Sequence, residues 1–134
     1  MVIKLNSYNK YRNKSVVLDN YTFASRKEGD RYSELLLLQR AKKIKDLSIH
    51  PEFILQEEFL DSQGEKHRAI TYIADFAYFE IDNTKEHRNE AKRTGSSYYR
   101  KKIVEDTKGF KTKDYLIKKK LFLFKYRDVI FKEI

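Results

Sequence analysis

Between residues 73 and 79 the chain is apolar on both alternating faces, and one acidic side chain, Asp75, interrupts the run. A strand of that kind must be covered on two sides, so it belongs in the middle of a sheet with other layers packed above and below it. An ionised carboxylate in the same place is costly to bury unless something compensates it. These two requirements predict an α/β fold, a mixed central sheet flanked by helices, with Asp75 as its first candidate for chemistry.

The rest of the chain supplies the layers. A length of 134 residues suits one domain; residues 1–14 read as a basic arm and residues 15–134 as the domain. Residues 15–18 and 21–23 flank Asp19-Asn20, a turn pair tolerant of positive φ, and predict an N-terminal β-hairpin. Ser25-Arg26-Lys27-Glu28 has the form of a capping box, and Tyr32, Leu35, Leu36 and Leu38 recur behind it, so a helix is expected to about Ala41. Residues 49–60 and 69–81 read as an antiparallel pair around Asp61-Ser62-Gln63-Gly64, with Pro51 marking an irregular start.

Residues 82–101 lack apolar periodicity and read as an exposed, mobile, basic loop. A strand over 102–108 follows, ended by Gly109. Thr112 then caps a helix expected to turn Leu116, Ile117, Leu121 and Phe124 to the sheet and Lys113, Lys118, Lys119 and Lys125 largely outward. Residues 128–134 close the fold as a strand.

The formal net charge is +9, which favours polyanionic partners. The excess is local: residues 82–102 hold seven Lys or Arg against three acids, and residues 110–127 seven against one. Cysteine is absent, and His50, His67 and His87 lack ligand spacing, which argues against zinc and leaves the histidines as ordinary polar residues. No apolar run is long enough to span a membrane and the amino terminus has no signal-like apolar stretch, so a cytoplasmic setting is expected.

Side chains alternate along a strand, so Asp106 and Lys108 share one face and Glu105 takes the other. If the Asp75 strand pairs with this one, Asp75 and Asp106 can share a Mg²⁺ or Mn²⁺, which needs only one or two protein carboxylates. Two aspartates, a metal and a neighbouring lysine supply an activated water and charge neutralisation for phosphodiester hydrolysis. Each has an ordinary alternative. Asp75 could be a turn or edge residue making a local hydrogen bond, Asp106 and Lys108 could be an ion pair on a solvated face, and Glu28 could serve only its helix cap. Glu105 reads as a partner for a surface lysine and becomes the reserve carboxylate if a bulge shifts the register.

Asp75 followed by Asp106-Thr107-Lys108, with Glu28 on a preceding helix, resembles the PD-(D/E)XK nuclease superfamily, whose core runs αβββαβ. The usual proline of its motif is replaced by Ala74. The segments from Ser25 through Tyr32, Arg68 through Phe76 and Val104 through Lys113 further resemble a small phage and prophage family of unknown function or endonuclease description, similar to phage Holliday junction resolvases. The resemblance covers the chain from about Tyr11. It implies a restriction-endonuclease-like core, metal ligation by Asp75, Asp106 and Glu28, a catalytic Lys108, and cleavage of branched or structured DNA in phage recombination or replication, in a bacterial host's cytoplasm.

Phosphate contact is expected from Arg100, Lys101, Lys111, Lys113, Lys118 and Lys119. Tyr98 and Tyr99 could stack on bases or pack on the domain. Resolving a junction takes two symmetric cuts, so a homodimer is expected, with residues 121–124 and 129–131 as interface material or as core. The rival readings are a non-catalytic nucleic-acid or host-factor binding module, and a nuclease for DNA end processing or packaging.

Overall fold

A computed structural model describes residues 14–82, 84–95, 99–108 and 111–134, with the side chains of Tyr99 and Arg100 excepted. Residues 1–13 of the basic arm, Tyr98 and the Gly109 stop signal lie outside the described residues. The chain opens with an antiparallel hairpin, β1 (Val16–Leu18) and β2 (Tyr21–Phe23). Its turn is built by Asp19 and Asn20, both at positive φ (50° and 69°), as the twist of a two-residue hairpin demands.

Helix α1 (Arg26–Arg40) starts where expected, with Ser25 Oγ accepting from the Glu28 N–H. A mixed four-stranded sheet follows, formed by β3 (Ile44–Ile49), β8 (Phe76–Ile81), β9 (Tyr99–Asp106) and β10 (Val129–Glu133) in the order β10-β9-β8-β3. β8 runs antiparallel to both β3 and β9, while β10 returns parallel to β9 after helix α3 (Lys113–Lys125). Helix α1, these strands and α3 give the order αβββαβ.

Alternation along β8, β9 and β10 divides the core into two layers. Phe76, Tyr78, Ile103 and Ile130 meet Tyr32 and Leu35 of α1, together with Phe23 and Ile44. On the other face Ala77, Val104 and Phe131 pack with Tyr115 and Phe122 of α3 and with Phe53 and Tyr72. The central strand is thus covered on both sides, as its sequence requires.

Four expectations are corrected. Residues 82–101 are not one loop: α2 (Lys85–Thr94) is capped by Thr84 and ended by Gly95 in the left-handed region (φ 75°). It buries only His87 and Ala91, too little apolar surface to leave a periodic signal. The expected pair over 49–60 and 69–81 is a set of shorter strands. β4 (Glu52–Gln56) pairs with β7 (Ile70–Ile73), while β5 (Phe59–Leu60) pairs with β6 (Lys66–His67).

The third correction concerns residues 44–49, which form β3 although no strand is expected there; positive φ at Asp46 (57°) and a bulge between Lys45 and Ser48 break its alternation. The fourth is the orientation of α3. Tyr115 and Phe122 are buried, whereas Ile117 is 59% and Phe124 70% exposed, and Leu116 and Leu121 are exposed too. Its lysines are largely outward, as expected, although Lys119 pairs with Glu133 at 2.9 Å and the exposed Lys125 donates to the Ile54 carbonyl.

Candidate active site

The site forms where the run containing Asp75 breaks. β7 and β8 belong to different sheets, and Ala74 and Asp75 join them. The joint is fixed by backbone bonds: Asp75 N–H donates to the Glu105 carbonyl, Ala74 N–H to the Pro51 carbonyl, and the Asp75 carbonyl accepts from His50 N–H. The carboxylate of Asp75 is thereby aimed at the end of β9, where Oδ2 accepts the Thr107 N–H at 2.6 Å.

Asp106 ends β9 on the same side. Fully buried, it accepts from the Tyr72 hydroxyl through Oδ2, and its carboxyl lies within hydrogen-bonding reach of Asp75. Its Oδ1 lies 3.3 Å from Lys108 Nζ, yet it accepts no aligned hydrogen bond among the described residues. Lys108 also sits over the Tyr115 ring, 4.9 Å from its centroid. Asp106 and Lys108 therefore share a side although Lys108 lies just past the strand.

Glu28 comes from the first turn of α1. Its backbone serves the cap, its carboxylate accepts from the Ser25 hydroxyl at 3.4 Å, and its charge acts on Asp75. The helix start that uses the Glu28 N–H for its cap also brings the Glu28 carboxylate near Asp75. One ligand atom each of Glu28, His50 and Asp75 lies within 4.8 Å of the others. His50 is the residue that sequence reasoning sets aside. No spacing relates position 50 to 28 or 75, and only the β3 to β4 turn brings it there.

Burial, with the charge of Glu28 adding to it, pushes the Asp75 carboxyl above the usual carboxylate range, against the Thr107 N–H and Lys108. Asp106 is pushed up to about 6, first by burial and then by Asp75, against Tyr72 and Lys108. Three carboxylates crowded in this way invite a cation. The mutually close donors are the Glu28 and Asp75 carboxylates with His50, and Asp106 is not one of that group; a set dominated by carboxylate oxygen fits a divalent ion such as Mg²⁺ or Mn²⁺.

Glu105 is corrected as the reserve carboxylate. It is 0% exposed on the α1 face, where Arg31 grips both its oxygens at 2.8 and 2.6 Å and the Tyr78 hydroxyl donates to it. Its partner is a half-buried arginine of α1 and not a surface lysine. Bonding to Glu105 raises the Arg31 guanidinium further above its usual range.

A cleft beside Lys108 is lined by Tyr72, Asp114, Tyr115 and Lys118. Of the lysines expected to touch phosphate, Lys118 lines this cleft, while Lys101 and Lys113 are exposed. Lys111 and Lys119 both contact Glu133. The Arg100 side chain is outside the described residues.

Residues 8–134 match the sequence profile of the family described as "Protein of unknown function (DUF1064)". The chain belongs to the DUF1064 family. No curated protein and no solved structure matches it. No described helix is long and apolar enough to cross a membrane.

Proposed function

We propose that this chain is a metal-dependent endodeoxyribonuclease of PD-(D/E)XK type that hydrolyses phosphodiester bonds in branched or structured DNA, using Mg²⁺ or Mn²⁺. The observation that carries the reading is the meeting of Asp75 and Asp106 beside Lys108, with Glu28 reaching the same place from α1. Asp75, Asp106 and Glu28 would hold the cation. When bound, such an ion neutralises charge on a phosphate oxygen and acidifies water. Lys108, partly exposed and paired with Asp106, offers its ammonium to a phosphate oxygen or to the attacking water.

Shape and phosphate recognition suit this chain better than base reading, because its basic residues line the cleft and flank it without forming a separate reading module. Two symmetric cuts call for a C2 dimer. The exposed Leu121, Leu123 and Phe124 supply apolar surface for one, whereas Phe122 belongs to the core.

A panel of labelled linear, flap and four-way DNA, incubated with either ion, tests the reading. Cutting focused on the branched substrates is expected. Asp75→Ala, Asp106→Ala and Lys108→Ala should each lose cutting while still shifting DNA on a gel. Binding without cutting by the unaltered protein would instead favour a binding module, and cutting confined to linear ends would favour end processing.

A further inference from the structure

We infer that His50 is a further ligand of the cation held by Glu28 and Asp75, and that its imidazole makes the site prefer Mn²⁺ to Mg²⁺. The inference rests on the proposed metal site and specifies its ion. The ligand atoms of Glu28, His50 and Asp75 lie within 4.8 Å of one another. Donors around one octahedral ion of this size stand about 3 Å apart when adjacent and about 4.2 Å when opposite, so a small inward movement completes the set.

His50 is also fixed to the site through its backbone. It adopts φ 52°, in the left-handed region, immediately before Pro51, a conformation seldom taken by a non-glycine residue. Donation from its N–H to the Asp75 carbonyl at 2.9 Å holds it there, and its ring stands 5.6 Å from that of Phe23. The residue that supplies the central carboxylate therefore also positions the imidazole. Independently, Asp106 is wholly buried beside Asp75, and among the described residues its Oδ1 accepts no aligned hydrogen bond, only the Lys108 ammonium standing 3.3 Å away, so this oxygen keeps capacity for a cation.

Ligand chemistry then separates the two ions. Carboxylate oxygens suit Mg²⁺ and Mn²⁺ alike, whereas Mg²⁺ keeps its waters and favours oxygen, and an imidazole nitrogen suits first-row transition ions. A mixed nitrogen and oxygen set discriminates against Mg²⁺.

The test is calorimetric titration of the metal-free full chain with MnCl₂ and with MgCl₂, without DNA, alongside pulsed electron paramagnetic resonance of the Mn²⁺-loaded protein. The unaltered chain should bind Mn²⁺ at least about tenfold tighter than Mg²⁺ and show ¹⁴N modulation from a directly bound imidazole. His50→Ala should weaken Mn²⁺ binding about tenfold or more, a typical size for a lost metal-site contact, with little effect on Mg²⁺, and should abolish the modulation. His50→Asn, which tolerates the left-handed backbone, guards against misfolding and should behave like His50→Ala.

Absence of ¹⁴N modulation in the unaltered chain, or unchanged Mn²⁺ affinity in both variants, overturns the inference. If DNA is nevertheless cut, the nuclease reading stands without His50. Modulation without cutting of any DNA sinks the nuclease reading and leaves the His50 site in place.

Discussion

Asp106 is held where an ionised carboxylate is least welcome, buried and next to Asp75, with its titration pushed up to about 6. Unfolded, the same group titrates near 3.8. Between these values the folded chain holds the extra proton, so stability falls as pH rises through the window. For metal-free protein the loss from this group is on the order of 2–3 kcal/mol. Asp106→Asn keeps an acceptor for Tyr72 and removes that loss. Urea unfolding should find it more stable than the unaltered chain near pH 7 and no more stable near pH 4, and on the proposed function it should not cut DNA. Glu105, one residue away on the opposite face, should behave in the contrary way. Glu105→Ala strands Arg31 and should cost about 3 kcal/mol, measured by denaturant melts, while folded Glu105→Gln still cuts. Asp75 was legible in the sequence because an acid inside an apolar run has few structural uses, whereas the capping box explained Glu28 as a helix cap and only the family resemblance pointed it to the site. His50 was not, because its closeness to both exists only after β3 turns into β4.

At the scale of elements, legibility followed how one-sided the apolar pattern was. The hairpin and α1 follow their turn and cap residues closely. Helix α3 is apolar around most of its circumference, so periodicity offers two faces; contacts of Phe122 with the rings of Tyr72, Phe53 and Phe131 decide in favour of the aromatic one. The run over 69–81 reads as a single strand because a break at Ala74 leaves no polar gap. That same break frees Asp75 from strand alternation and lets it turn toward the Thr107 N–H. Glu133 of β10 is the clip between the last strand and α3, accepting from the Tyr115 hydroxyl and pairing with Lys119 and Lys111. Chiefly through Tyr115 and Lys119, its carboxyl is held down at about 2 against an ordinary 4.5. The stability it contributes is therefore complete above pH 4.5 and lost as pH falls toward 2. Glu133→Gln should be less stable near pH 7 by no more than about 1 kcal/mol, given its solvent contact. Thermal melts should show that difference closing over this acid window.

Across the whole molecule, charge and chemistry sit together. Basic residues follow the carboxylate site in sequence, and Lys118 lines the cleft beside Lys108. Replacing Lys113 and Lys118 together by alanine should weaken binding to every DNA sequence alike. It should also reduce the slope of log affinity against log salt by about 1–2, read by fluorescence anisotropy. Light scattering should find a dimer at working concentration, reduced to monomer by Leu121→Glu with Phe124→Glu; monomer alone in the unaltered chain would refute symmetric paired cutting. The central claim, that Asp75 anchors a cation-dependent phosphodiester cleavage site, is tested most directly by single-turnover cleavage of a labelled four-way junction with Mn²⁺ or with EDTA, comparing the unaltered protein with folded Asp75→Asn. The account predicts cutting only by the unaltered protein and only with the ion. Equal cutting by Asp75→Asn, or a bound junction left intact by the unaltered protein with Mg²⁺ and Mn²⁺ alike, would contradict it.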